Sequence, residues 1–95
     1  MVEFKKGDIA YLNRRKRVKL ILGNEYKSET IQAETAVEIM RVHRSQDEIA
    51  KQITGGAVYD VKFNGYEVEC IPQKDLYSKA QWETITKIKA AMLNK

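Results

Sequence analysis

The chain has 95 residues, 43% of them hydrophobic and 32% charged, with 17 basic against 13 acidic side chains and a formal charge of +4. That composition fits one small globular domain over residues 1–95 and excludes wholesale disorder. One cysteine forms no internal disulfide, and with one histidine it excludes an all-Cys/His zinc site within the chain, so no structural metal or other cofactor is expected.

Targeting signals are not evident. The amino terminus has no signal-peptide core, and its longest apolar run, Ile9-Ala10-Tyr11-Leu12, is far short of the roughly 20 residues of a membrane helix. A cytoplasmic setting with no membrane partner is the expectation.

The chain order predicts a β body over residues 1–77 and a helix over 78–95. Gly7-Asp8 reads as a turn feeding a strand over Ile9–Leu12. Arg17 to Leu22 alternates, with Val18, Leu20 and Leu22 inward, and Gly23-Asn24 ends it. Ala36 to His43 is apolar and β-branched enough for a strand, but its inward face is ambiguous and leaves room for a bulge. Arg44 to Thr54 is either a long loop or a helical turn around Asp47-Glu48-Ile49-Ala50, closed by Gly55-Gly56.

The clearest local signal follows. Ala57 to Phe63 alternates, Asn64-Gly65 suits a two-residue type I′ turn, and Tyr66, Val68 and Cys70 continue the apolar face. The expected register puts Phe63 against Tyr66, Val61 against Val68 and Tyr59 against Cys70, all inward. On the wet side Lys62 faces Glu67 and Asp60 faces Glu69. At the tail, Ser78 and Gln81 form a capping box, and Trp82, Ile85, Ile88 and Met92 share one helix face. That face predicts either packing on the sheet, with Trp82 and Ile85 buried, or an exposed interface.

Catalytic chemistry finds few of the groups it needs, and no catalytic residue is assigned. Cys70 alternates inward, where a thiol is usually inert. His43 has no second histidine to share a metal. Gly55-Gly56 lacks the Lys-Ser/Thr of a phosphate loop, and Glu67 and Glu69 point outward from a strand.

Charge is uneven: residues 1–22 carry seven basic and two acidic side chains, residues 23–50 three and six, and residues 51–95 seven and five. The surplus centres on Arg14, Arg15, Lys16 and Arg17, extended by Lys19. In an extended segment Arg15, Arg17 and Lys19 share a face at steps of about 7 Å, a pitch that meets successive phosphates. Tyr11 and Tyr26 are candidate stacking surfaces nearby. Two other uses of the run stand beside this one: keeping an edge strand soluble, or pairing with Glu25, Glu29 and Glu34 if the next segment packs alongside.

Phe4-Lys5-Lys6-Gly7-Asp8-Ile9-Ala10-Tyr11 resembles the opening of small SH3-like barrels, such as the CarD-type domain and relatives of Tudor and KOW modules. Ile71-Pro72-Gln73-Lys74-Asp75-Leu76, after the Asn64-Gly65 hairpin, is similar to the short 3₁₀ turn near the end of such barrels. The resemblance implies a barrel whose relatives bind nucleic acid or proteins, and it transfers no functional residue.

The resulting expectation is a mainly β, small SH3-like antiparallel barrel of about five strands with a C-terminal α-helix. Its expected function is non-enzymatic binding of DNA or RNA through Arg14, Arg15, Lys16, Arg17 and Lys19. The alternative is a protein-interaction module, an inhibitor or adaptor, that meets an acidic partner or uses the helix face.

Overall fold

A computed structural model describes residues 3–93. In chain order the elements are β1 (Ile9–Leu12), β2 (Lys16–Leu22), β3 (Glu25–Ile31), β4 (Ala36–Arg44), α1 (Glu48–Thr54), β5 (Ala57–Phe63), β6 (Tyr66–Pro72), a 3₁₀ turn (Gln73–Asp75), β7 (Leu76–Tyr77) and α2 (Lys79–Leu93). The seven strands form one antiparallel sheet in the order β3-β2-β6-β5-β4-β1-β7, curled into a half-barrel. The fold class is therefore as expected, with more strands than foreseen. The terminal positions of the predicted 78–95 helix, 94 and 95, lie outside the described residues.

The core lies on the sheet's inner face. Ala10, Leu12, Val18, Leu20, Ile31, Val37, Ile39, Tyr59, Val61, Val68 and Ile71 are all buried there, joined by Phe4 and Leu76. Tyr59 spans its centre: its hydroxyl donates to Gln73 Oε1 at 3.0 Å and accepts the Phe4 N–H at 3.2 Å. Buried hydroxyls are tolerated when satisfied in this way.

Local chemistry explains most element boundaries. Asn64 and Gly65 both have positive φ, 49° and 82°, as a type I′ turn requires, and Phe63 faces Tyr66 as predicted. Asp47 caps α1 by accepting the Ala50 N–H at 2.7 Å, and Gly55 closes it in the left-handed region, its N–H reaching Lys51 O. Ser78 and Gln81 form the reciprocal capping box of α2, with N···O distances of 2.8 and 3.1 Å.

Three side chains lie on the opposite side from the one their alternation predicts. First, the β5–β6 ladder shifts between Tyr59 and Val61, so Ile71 rather than Cys70 faces Tyr59. Cys70 takes φ 62° and lies exposed. Second, Asp60 does not face Glu69 in solvent. It is buried, because β4 and β6 both bulge beside it and wrap it. Third, Leu22 is 55% exposed, since the β2–β3 hairpin runs past the core before it turns.

Helix α2 packs beside β1 and β7, and its half-buried side chains fall in its first two turns. Trp82 stacks on Tyr11, centroids 4.4 Å apart and planes 7° from parallel. Both Trp82 and Ile85 are half-buried, while Ile88, Met92 and Leu93 are exposed. Among the described residues no helix is long and apolar enough to cross a membrane.

Candidate nucleic-acid interface

The basic run is divided by one buried acid. Asp75, in the 3₁₀ turn, accepts Lys16 Nζ at 2.5 Å and Arg14 Nε at 3.2 Å. Burial pushes the Asp75 carboxyl up, but the Lys16 hydrogen bond and the charges of Lys16 and Arg14 outweigh it, leaving the pKa below its ordinary value. The loop between β1 and β2 is pinned at the same place, with Asn13 N–H on Asp75 O at 2.9 Å and Asn13 Nδ2 on Lys74 O at 2.6 Å. Lys16 keeps only 19% of its side chain exposed. Arg14 and Lys16 thus hold the start of β2 against the 3₁₀ turn.

Arg15, Arg17 and Lys19 are left. Arg15 immediately precedes β2, and all three are exposed. The β2–β3 register places Arg17 opposite Thr30, Lys19 opposite Ser28 and Ile21 opposite Tyr26. These residues share a face, since opposed side chains in an antiparallel pair point the same way. Lys19 Nζ lies 4.5 Å from the Tyr26 ring centroid, and that tyrosine is 68% exposed. The face therefore carries cations, hydroxyls and an accessible ring.

The same register decides the fate of the acids. Segment 25–31 does pack beside the run, but Glu25 and Glu29 oppose Leu22 and Val18 on the other face. Glu29 pairs with Lys27 at 3.8 Å, and Glu34 with Lys89 of α2. None of the three neutralises Arg15, Arg17 or Lys19. Glu69, on β6, lies across the groove that separates β2 from β6, with Arg17 and Lys19 on its other wall. Tyr11, by contrast, is unavailable as a stacking surface on the face that Trp82 covers.

A second polar cluster was not foreseen. Asp60 accepts Arg41 Nε at 2.8 Å and the Cys70 backbone N–H at 3.2 Å, and lies 3.0 Å from His43 Nε2. Burial raises its pKa, but the His43, Arg41 and Cys70 hydrogen bonds together bring it below the ordinary value. Arg41 also pairs with Glu67. The signal in the sequence was an acid in the middle of a core strand, but the partners become visible only once β4 and β6 bulge around it. Among the described residues no group of three or more His, Cys, Asp or Glu side chains is placed to hold a metal ion.

No family model, no curated protein and no solved structure matches this chain.

Proposed function

We propose that this protein is a non-enzymatic nucleic-acid-binding module that grips the phosphate backbone along the outer face of the β2–β3 hairpin. One observation carries the reading: Arg17 and Lys19 stay outside the Asp75 clamp on a hairpin face to which β3 adds no acid, with exposed Tyr26 beside Lys19 and exposed Arg15 just before the strand. Cations at strand pitch release counterions from successive phosphates, and a ring beside them offers a base a stacking surface. The curled antiparallel sheet is compatible with the SH3-like resemblance, whose relatives include nucleic-acid binders.

Titration of the protein with single-stranded and duplex DNA and RNA at two salt concentrations tests this. The triple variant Arg15→Ala, Arg17→Ala, Lys19→Ala should weaken binding to all sequences alike. Each lost phosphate contact should flatten the log–log salt slope by about 0.9 on duplex DNA, or about 0.7 on single strands. An unchanged slope and affinity in the triple variant refutes the reading.

A protein-interaction reading stands second. It is favoured by Ile88, Met92 and Leu93, which α2 leaves exposed beyond its docked turns.

A further inference from the structure

We propose that β3 is a self-association edge, along which two copies of this chain pair antiparallel about a two-fold axis at Ser28. The sheet has two edges. β7 is two residues long and lies beside α2. β3 is seven residues long, pairs among the described residues with β2 alone, and is exposed at every position except Ile31. Two common protections of an edge are missing from it: it has no proline, and no bulge in its unbroken seven-pair ladder with β2.

Backbone geometry says which residues would take part. The two-residue turn at Gly23-Asn24 closes on Leu22 opposite Glu25, and such a turn closes on a hydrogen-bonded pair. Glu25, Lys27, Glu29 and Ile31 therefore aim their N–H and C=O groups at β2. Tyr26, Ser28 and Thr30 aim theirs outward, at the free edge.

Charge then selects a single register. With Ser28 opposite Ser28, Tyr26 meets Thr30, and Lys27 of each copy meets Glu29 of the other. Both attractive pairs repeat across the axis, and all seven residues overlap. Sliding by one hydrogen-bonded step in one direction centres Lys27 on Lys27 and sets Glu25 against Glu29. Sliding the other way centres Glu29 on Glu29. Like charges directly opposed destabilise a strand pair, so only the Ser28 register keeps full overlap without repulsion. A self-complementary patch of this kind is what an isologous two-fold interface requires. The occupant favoured by this edge is accordingly a second copy.

Pairing would also set the two outer hairpin faces side by side. At about 4.8 Å per strand, β2 of one copy lies about 14 Å from β2 of the other, so the two Arg17–Lys19 stripes run antiparallel on one surface. The interface stands whether or not that surface binds nucleic acid.

The test is sedimentation of the full chain across concentration at low salt. One strand pair buries little area, so a concentration-dependent monomer–dimer equilibrium is expected. Lys27→Glu alone and Glu29→Lys alone should each raise the dissociation constant at least about tenfold, the effect of about 1.4 kcal/mol. An equimolar mixture of the two variants should restore association, because in the mixed dimer both cross-axis pairs again join an acid to a base. That rescue also separates the interface from loss of the Lys27 contact with the Tyr66 ring, which lies within the chain at 4.9 Å. In a Cys70→Ser background, Ser28→Cys should form a disulfide across the axis on mild oxidation, since a hydrogen-bonded pair has its Cα atoms about 5.5 Å apart. A chain that stays monomeric at every concentration overturns the proposal and leaves the edge to a strand of another protein. So does a dimer indifferent to both charge reversals, or crosslinking through Thr30→Cys in place of Ser28→Cys.

Discussion

Two carboxylates, Asp60 and Asp75, organise the polar side of this molecule. Each is buried, and each collects basic side chains from an element distant in sequence. Both have pKa values lowered from 3.8, so the unfolded chain binds their protons more tightly than the folded one. The stability they contribute is complete above the unfolded value and is lost as pH falls through the folded value. Urea midpoints should therefore drop on acidification below about pH 4. Asp60→Asn and Asp75→Asn should each cost about 1–3 kcal/mol at pH 7 and flatten that acid dependence. Midpoints at pH 7 and pH 3 check both effects, and a variant that keeps the parent's acid slope shows its carboxylate is not the source. Gly65 poses a simpler test of one residue. A β-branched side chain at φ 82° is strained, and Gly65→Val should lose about 1–3 kcal/mol in chemical denaturation.

Among the elements, α2 packs on the sheet at its amino-terminal end and is tethered further along by one ion pair. Its capping box fixes the first turn, Trp82 lies flat on Tyr11, and Lys89 reaches Glu34 from further along. Among the described residues the buried Trp82 indole N–H meets no hydrogen-bond acceptor, and stacking on Tyr11 is the contact that secures the ring. Trp82 is the only tryptophan, which makes its fluorescence a specific report on docking. Tyr11→Ala should red-shift that emission and cost about 1 kcal/mol beyond the lost area. Ile88→Ser and Met92→Ser, at exposed positions, should change stability by no more than about 0.5 kcal/mol. A large loss from either would mean that the second half of the helix packs where it is seen exposed.

At the scale of the whole molecule, the basic run serves two ends at once. Lys16 and Arg14 tie the β1–β2 loop to the 3₁₀ turn, whereas Arg15, Arg17 and Lys19 face outward. Stability and binding should therefore separate along five consecutive or near-consecutive positions. Lys16→Ala leaves the buried Asp75 carboxylate with Arg14 as its cation and should lower stability, by about 1–3 kcal/mol, with little change in the salt slope of binding. Lys19→Ala should do the reverse, altering stability by less than about 0.5 kcal/mol while it flattens the slope. Paired denaturation and salt titrations of these two variants decide whether the division is real. If Lys16→Ala flattens the slope as much as Lys19→Ala, the clamp opens in the complex.

Short-range chemistry made much of this protein legible in its sequence. The Asn64-Gly65 hairpin, the α2 capping box, the strand over Ile9–Leu12 and the alternation of Val18 and Leu20 all rest on interactions within a few residues, where residue type dictates geometry. Strand β3 was hidden, because an exposed edge strand of Glu, Lys, Ser and Thr has no apolar alternation to betray it. The bulges around Asp60, and with them the exposure of Cys70, depended on Arg41, His43 and the Cys70 N–H meeting one buried carboxylate. The division of the basic run depended likewise on Asp75, some 60 residues on, reaching back to Arg14 and Lys16. Composition placed the positive charge on this chain; only the tertiary fold decided which cations are spent on buried acids and which are left to face solvent, because desolvated carboxylates capture whatever cations the topology brings to them.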